Sequence, residues 1–222
     1  EDMTDIEGRI AMESVKRFGL AVLSLFFLCL FCDTAAGAER GSMKPIAPMM
    51  IEHRLIYRIL PVVTAVKTDM ERTGKADTEA VAAIVDFFRF YGDEVHHGKE
   101  EKIYFRELGK KKLSPGHRAL MEELIGEHET ARKIVGSLAA ALDRYEKGDR
   151  TALKDMEEAL GKLPGLYSEH IRKEDRVLFV PSLDYFSPDE QRALLEKMKD
   201  YDEKMIHEKY RKAVSDLRAK YQ

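Results

Sequence analysis

Four helix-length segments of this chain carry an apolar stripe at three- and four-residue steps, and each stripe is interrupted by one histidine. Ile46, Met49, Met50, Ile56, Leu60 and Val63 surround His53, and Val81, Ile84, Val85, Phe88, Val95 and Ile103 surround His96. Leu120, Leu124, Ile125, Val135, Leu138 and Leu142 flank His128, while Leu163, Leu166, Tyr167, Val177 and Leu178 flank His170. That spacing marks the buried face of an α-helix, so four helices each aim an imidazole at a common axis. No strand-like alternation of any length appears. The fold class is all-α: an up-down-up-down four-helix bundle with an additional C-terminal helix, preceded by a signal peptide.

Local signals set the boundaries. The first helix is expected from about Ile46 to Glu71, with Pro61 as an objection to its continuity and Thr73-Gly74-Lys75 as its end. The second runs from about Thr78, capped by Asp77, to Leu108, where Gly109 and three lysines close it. Ser114-Pro115 opens the third, which ends near Gly148. The fourth starts near Asp149 and reaches Phe179, with a kink expected at Pro164. Ser187-Pro188-Asp189-Glu190 is a capping box for a last, highly charged helix reaching close to Lys220 and packing outside the bundle or extending from it.

The N-terminal stretch follows different rules. Lys16 and Arg17 precede an apolar run from Phe18 to Cys32, and Ala36-Gly37-Ala38 follows. Basic residues, a short apolar run and small residues at a cleavage position form a secretory signal. The run has about 15 residues, fewer than a membrane-spanning helix needs. Residues 1–11 read as sequence upstream of a start at Met12. The division is therefore 1–38, signal peptide and upstream residues, and 39–222, one helical bundle domain in the periplasm or outside the cell, with no membrane attachment after cleavage.

Cleavage after Ala38 removes both cysteines, Cys29 and Cys32. The mature chain then has no disulfide and no thiolate, and any metal must be held by nitrogen and oxygen. A net charge of -3 for the whole chain argues against nucleic acid as a partner.

Two of the inward histidines have a glutamate four residues on: His96 with Glu100 and His170 with Glu174. Residues at that spacing sit one above the other on a helix. The other two are preceded by glutamate, as Glu52-His53 and Glu127-His128. The order repeats, so the chain reads as two similar helical hairpins, each giving a lone histidine and then a His-x-x-x-Glu pair. Two carboxylates and four imidazoles in one core are costly unless a cation pair lies between them. Imidazole with carboxylate suits iron, manganese or zinc. Two octahedral ions need about twelve positions, and four imidazoles, two bridging glutamates and a bridging oxo or hydroxo group leave about two for a small ligand. Glu52, Glu101, Glu127 and Asp175 fall on flanking faces as outer groups. His97 shares a face with Asp86, Asp93 and Glu101 and reads as exposed, and His117 and His207 read as structural or solvent-facing. Tyr57 and Tyr167 read as packing beside the site. The Glu-x-x-His spacing of storage bundles occurs only at Glu94 and His97, off the His96 face.

The stretches Glu52-His53-Arg54-Leu55-Ile56, His96-His97-Gly98-Lys99-Glu100-Glu101, Glu127-His128 with Arg132, and residues 170–179 resemble the haemerythrin-like HHE cation-binding family over about residues 46 to 200. The resemblance implies a four-helix bundle with two iron ions held by His53, His96, Glu100, His128, His170 and Glu174. In the oxygen carriers of that family a second histidine follows the third-helix ligand by four residues; here Arg132 stands there. The carriers' last motif uses an aspartate five residues after its histidine, whereas here glutamate stands at four. The chain is thus similar to the six-ligand branch linked to nitric-oxide response and iron–sulfur repair, although its export signal puts the repair role in doubt. The expected function is binding or sensing of dioxygen or nitric oxide. The alternative is a di-iron redox enzyme acting on peroxide or nitric oxide, with a redox partner that the residues do not name.

Overall fold

Asp77 Oδ1 accepts from the backbone N–H of Ala80 and Ser114 Oγ from that of His117, so the second and third helices begin at capped ends. Ser187 and Glu190 bond each other's backbone N–H at the start of the last helix, the reciprocal box expected there. Gly74 ends the first helix with φ 66°, a left-handed conformation that glycine adopts without a Cβ clash.

The structure is a computed structural model that describes residues 43–221, with side chains through residue 205. The export signal read at residues 1–38 lies outside the described residues. Five helices follow. Helix α1 is Ala47–Thr73. Helix α2 spans 78–108: an α-helical start at Thr78–Asp86, π-helical segments at Phe87–His97 and Glu100–Phe105, and a closing turn at Arg106–Leu108. Helix α3 is Pro115–Glu146. Helix α4 spans 152–182, with Ala152–Lys173 α-helical, Glu174–Leu178 π-helical and Phe179–Ser182 a last turn. A 3-10 turn at Leu183–Tyr185 leads to α5, Pro188–Tyr221. There is no strand among the described residues, and no described helix is long and apolar enough to cross a membrane.

Neither proline ends its helix: Pro61 and Pro164 both lie inside continuous helical segments. Pro61 is exposed and Pro164 half-buried, while apolar neighbours such as Leu60 and Leu163 are buried in the core. Packing of the apolar face outweighs the lost hydrogen bond.

Helix α1 packs on α4, α4 on α3, α3 on α2 and α2 on α1, a closed ring of four, and α5 lies along the π-helical part of α2. The core has two apolar clusters. One gathers Ile56, Val63, Phe88, Leu138, Leu160 and Leu163. The other gathers Met49, Tyr104, Leu124, Phe179 and Met198. His53 lies between Met49 and Ile56 in sequence, His96 between Phe88 and Ile103, and His128 between Leu124 and Ala131. The polar layer therefore sits where the two clusters meet.

Candidate metal centre

Four imidazoles converge in two pairs. His53 Nε2 and His96 Nε2 are 3.0 Å apart, and His128 Nε2 and His170 Nε2 are 3.1 Å apart. Glu100 and Glu174, both fully buried, lie between the pairs. Glu100 places Oε1 3.4 Å from His96 Nε2 and Oε2 3.3 Å from His128 Nε2. Glu174 places Oε1 3.3 Å from His170 Nε2 and Oε2 3.2 Å from His53 Nε2. Each carboxylate thus spans both imidazole pairs, and the six residues singled out in the sequence meet at one point.

The outer nitrogens are all oriented by carboxylates. His53 Nδ1 donates to Asp175 at 2.8 Å, His96 Nδ1 to Glu52 at 3.0 Å, His128 Nδ1 to Glu101 at 2.7 Å and His170 Nδ1 to Glu127 at 3.0 Å. The four flanking acids therefore take the outer role expected of them. The pattern has a pseudo-twofold relation. The first histidine of each hairpin pairs with the acid that follows the other hairpin's buried glutamate, and the second pairs with the acid that precedes its own hairpin's first histidine. An ionised carboxylate only accepts, so each Nδ1 carries a hydrogen and each neutral ring turns the Nε2 lone pair inward.

Lone pairs 3 Å apart need a proton or a cation between them. Burial disfavours protonation of His53, but the carboxylates of Asp175 and Glu174 outweigh it and raise its pKa to about 10. His170 is raised to about 10 in the same way, burial being overcome by Glu174 and Glu127. Burial lowers His96 to about 3. One imidazole of the His53–His96 pair thus holds the proton that its partner refuses. Apart from the imidazole Nε2 atoms at 3.2–3.4 Å, no hydrogen-bond partner meets any oxygen of Glu100 or Glu174. A buried carboxylate met by so few donors is costly, and a cation held by each imidazole pair would satisfy both glutamates and all four lone pairs at once. Two groups have ligand atoms within 4.8 Å of one another: His53, His96, Glu100 and Glu174, and His97, Glu100, His128 and His170. The residues present fit a pair of metal ions.

The second group contains a residue that sequence reasoning placed on the surface. His97 is buried, with 1% of its side chain exposed. The cause is the π-helical stretch ending at His97. Bonds from i to i+5 widen the turn and rotate successive residues by less than the ~100° of an α-helix, so His96 and His97 both reach the interior. Residues 96 to 100 are all buried, Lys99 included. Lys99 Nζ donates to Glu52 and to Asp202 of α5. Gly98 is required by close approach, since a Cβ there would lie 2.2 Å from Tyr201 Oη.

Arg132 stands in the outer network, donating to Asp93 and Glu101 at 2.8 Å each. It borders a cavity of about 300 Å³ that Phe88, Asp93, Val135 and Tyr167 also line and that reaches His97. Tyr167 is buried, its ring centroid 6.1 Å from that of His97, whereas Tyr57 is 41% exposed. His117 bonds Tyr185 Oη at 2.9 Å, a structural role. The side chain of His207 lies outside those described.

A family model described as Hemerythrin HHE cation binding domain matches residues 44–180, well over half of the chain. No curated protein matches the chain.

Proposed function

The chain belongs to the hemerythrin HHE cation-binding family, and from that premise we propose that it is an exported non-haem di-iron protein that binds or senses dioxygen or nitric oxide at the core of an up-down-up-down bundle. One observation carries the reading: Glu100 and Glu174, fully buried and met by no donor other than imidazole nitrogens, each span two imidazole pairs. His53 and His96 would hold one ion, His128 and His170 the other, with both glutamates shared. Bound there, iron would supply reversible one-electron chemistry and coordination positions open to a small ligand.

The protein's own groups do the rest. The Nδ1 bonds to Asp175, Glu52, Glu101 and Glu127 hold the rings in the tautomer that ligation needs. Phe105 and Phe179 lie near the rings of His128 and His53 and exclude bulk water. The cavity beside Arg132 offers a small molecule a route as far as His97. The export signal read from the sequence at residues 1–38 is what supports a periplasmic or secreted location.

Metal analysis and spectroscopy test this. Two irons per chain are expected, with a visible charge-transfer band that is lost on anaerobic reduction and returns or shifts on admitting air or nitric oxide. Full iron loading with a featureless spectrum would overturn it. Tyr167, a buried residue lining the cavity, favours a second reading as a redox enzyme acting on peroxide or nitric oxide. Turnover of either, abolished in Glu100→Ala, would select that reading over simple binding.

A further inference from the structure

The four imidazoles follow the pseudo-twofold relation, and His97 breaks it: the residue after His170 is Ile171. Yet His97 carries the same marks as the four. Its Nδ1 faces Asp93 Oδ1 at 3.3 Å. Asp93 is in turn held by Arg132. The Nε2 atom is buried and has no partner. The ring lies nearly parallel to that of His128, with centroids 3.8 Å apart and planes at 12°, and 5.8 Å from that of His170. A ring nitrogen of His97 lies within 4.8 Å of ligand atoms on Glu100, His128 and His170.

A core histidine that only packed would be expected to find a donor or acceptor for that nitrogen, because leaving a buried polar group unmet is costly. We infer that His97 supplies a fifth imidazole to the centre, on the His128–His170 side alone. The assignment rests on the two-ion reading above and makes the two positions unequal. One ion has three imidazoles and two shared carboxylates; the other has two imidazoles and the same carboxylates. The two positions then differ in how many coordination sites the protein leaves open. The π-helical turn through His97 is what allows adjacent residues on α2 to serve different ions.

Cobalt(II) loading and proton NMR test the assignment. Each ligating ring here keeps an exchangeable Nδ1–H, and high-spin cobalt shifts such protons far outside the ordinary range. With two cobalt ions per chain, five shifted exchangeable signals are expected, and four in His97→Gln with helicity unchanged. Two ions with only four signals in the unaltered protein would overturn the fifth ligand and leave the two-ion reading standing. Fewer than two ions in the unaltered protein would overturn that reading and this one together. The count in the unaltered protein decides the matter even if the variant fails to fold.

Discussion

Lys99 Nζ donates to Asp202 Oδ1 at 2.6 Å, and this bond joins α5 to the metal layer. Lys99 also meets Glu52, which holds His96 Nδ1. Tyr201, the neighbour of Asp202, covers Gly98 and donates to the Glu94 carbonyl at 2.7 Å. Gly98→Ala should therefore push Tyr201 off α2, costing roughly 1–3 kcal/mol. Chemical denaturation of the metal-free variant measures this; an unchanged midpoint would show that α5 is only loosely laid on the bundle.

Glu174 reaches both imidazole pairs, so its removal should affect both ions. Glu174→Ala is expected to lower metal content well below two ions per chain while leaving helicity intact. Elemental analysis after purification checks it. A variant that retains both ions at the original affinity would mean that the carboxylate does not bridge.

Glu101 accepts from both His128 Nδ1 and Arg132. Those bonds, together with the charges of the same two groups, overcome burial and hold its pKa below the usual value. Glu101→Gln should keep the fold and weaken metal binding by about 10–100-fold, the usual effect of losing an outer carboxylate. Competition with a chromogenic chelator reads the change. Asp175→Asn should act similarly through His53, and loss of affinity in only one of the two would break the pseudo-twofold account.

The metal-free protein should have a stability maximum near neutrality. His53 and His170, raised to about 10, contribute stability that is complete below the unfolded value of about 6.5 and is lost as pH rises through 10. His96, lowered to about 3, acts oppositely: below about 6.5 the unfolded chain takes up a proton that the folded one refuses. Thermal midpoints of chelator-treated protein should fall on both sides of about pH 6.5. A midpoint that climbs steadily from pH 6.5 to 9 would contradict the assignment. Loading displaces the protons held by His53 and His170, so metal uptake should acidify a weakly buffered solution.

The helices and the inward ligands were legible because both follow from period. An apolar stripe at 3.6 residues per turn places His53, His96, His128 and His170 inside without knowledge of any partner, and the i+4 spacing adds Glu100 and Glu174. Capping residues marked the starts of α2, α3 and α5. His97 was misplaced for the same reason that the others were found: an α-helical wheel turns it about 100° from His96, and nothing in the residue types announces a switch to i+5 bonding. Lys99 was missed because a lysine beside two glutamates reads as solvated; its burial depends on Asp202, about a hundred residues away. Pro61 was an objection to the continuity of α1 from a local rule that the packing of Leu60 and Val63 overrides.

The hairpin made by α1 and α2 contributes His53 and His96 to one imidazole pair, and the hairpin made by α3 and α4 contributes His128 and His170 to the other. Each hairpin also extends one glutamate toward its counterpart's pair. Neither half can complete a coordination shell alone, so the ions would serve as a crosslink between the halves as well as a reactive centre. Pulling the hairpins apart would require breaking a carboxylate bond at both ions, and the state of the metal would then set how firmly the two halves of the protein are clasped.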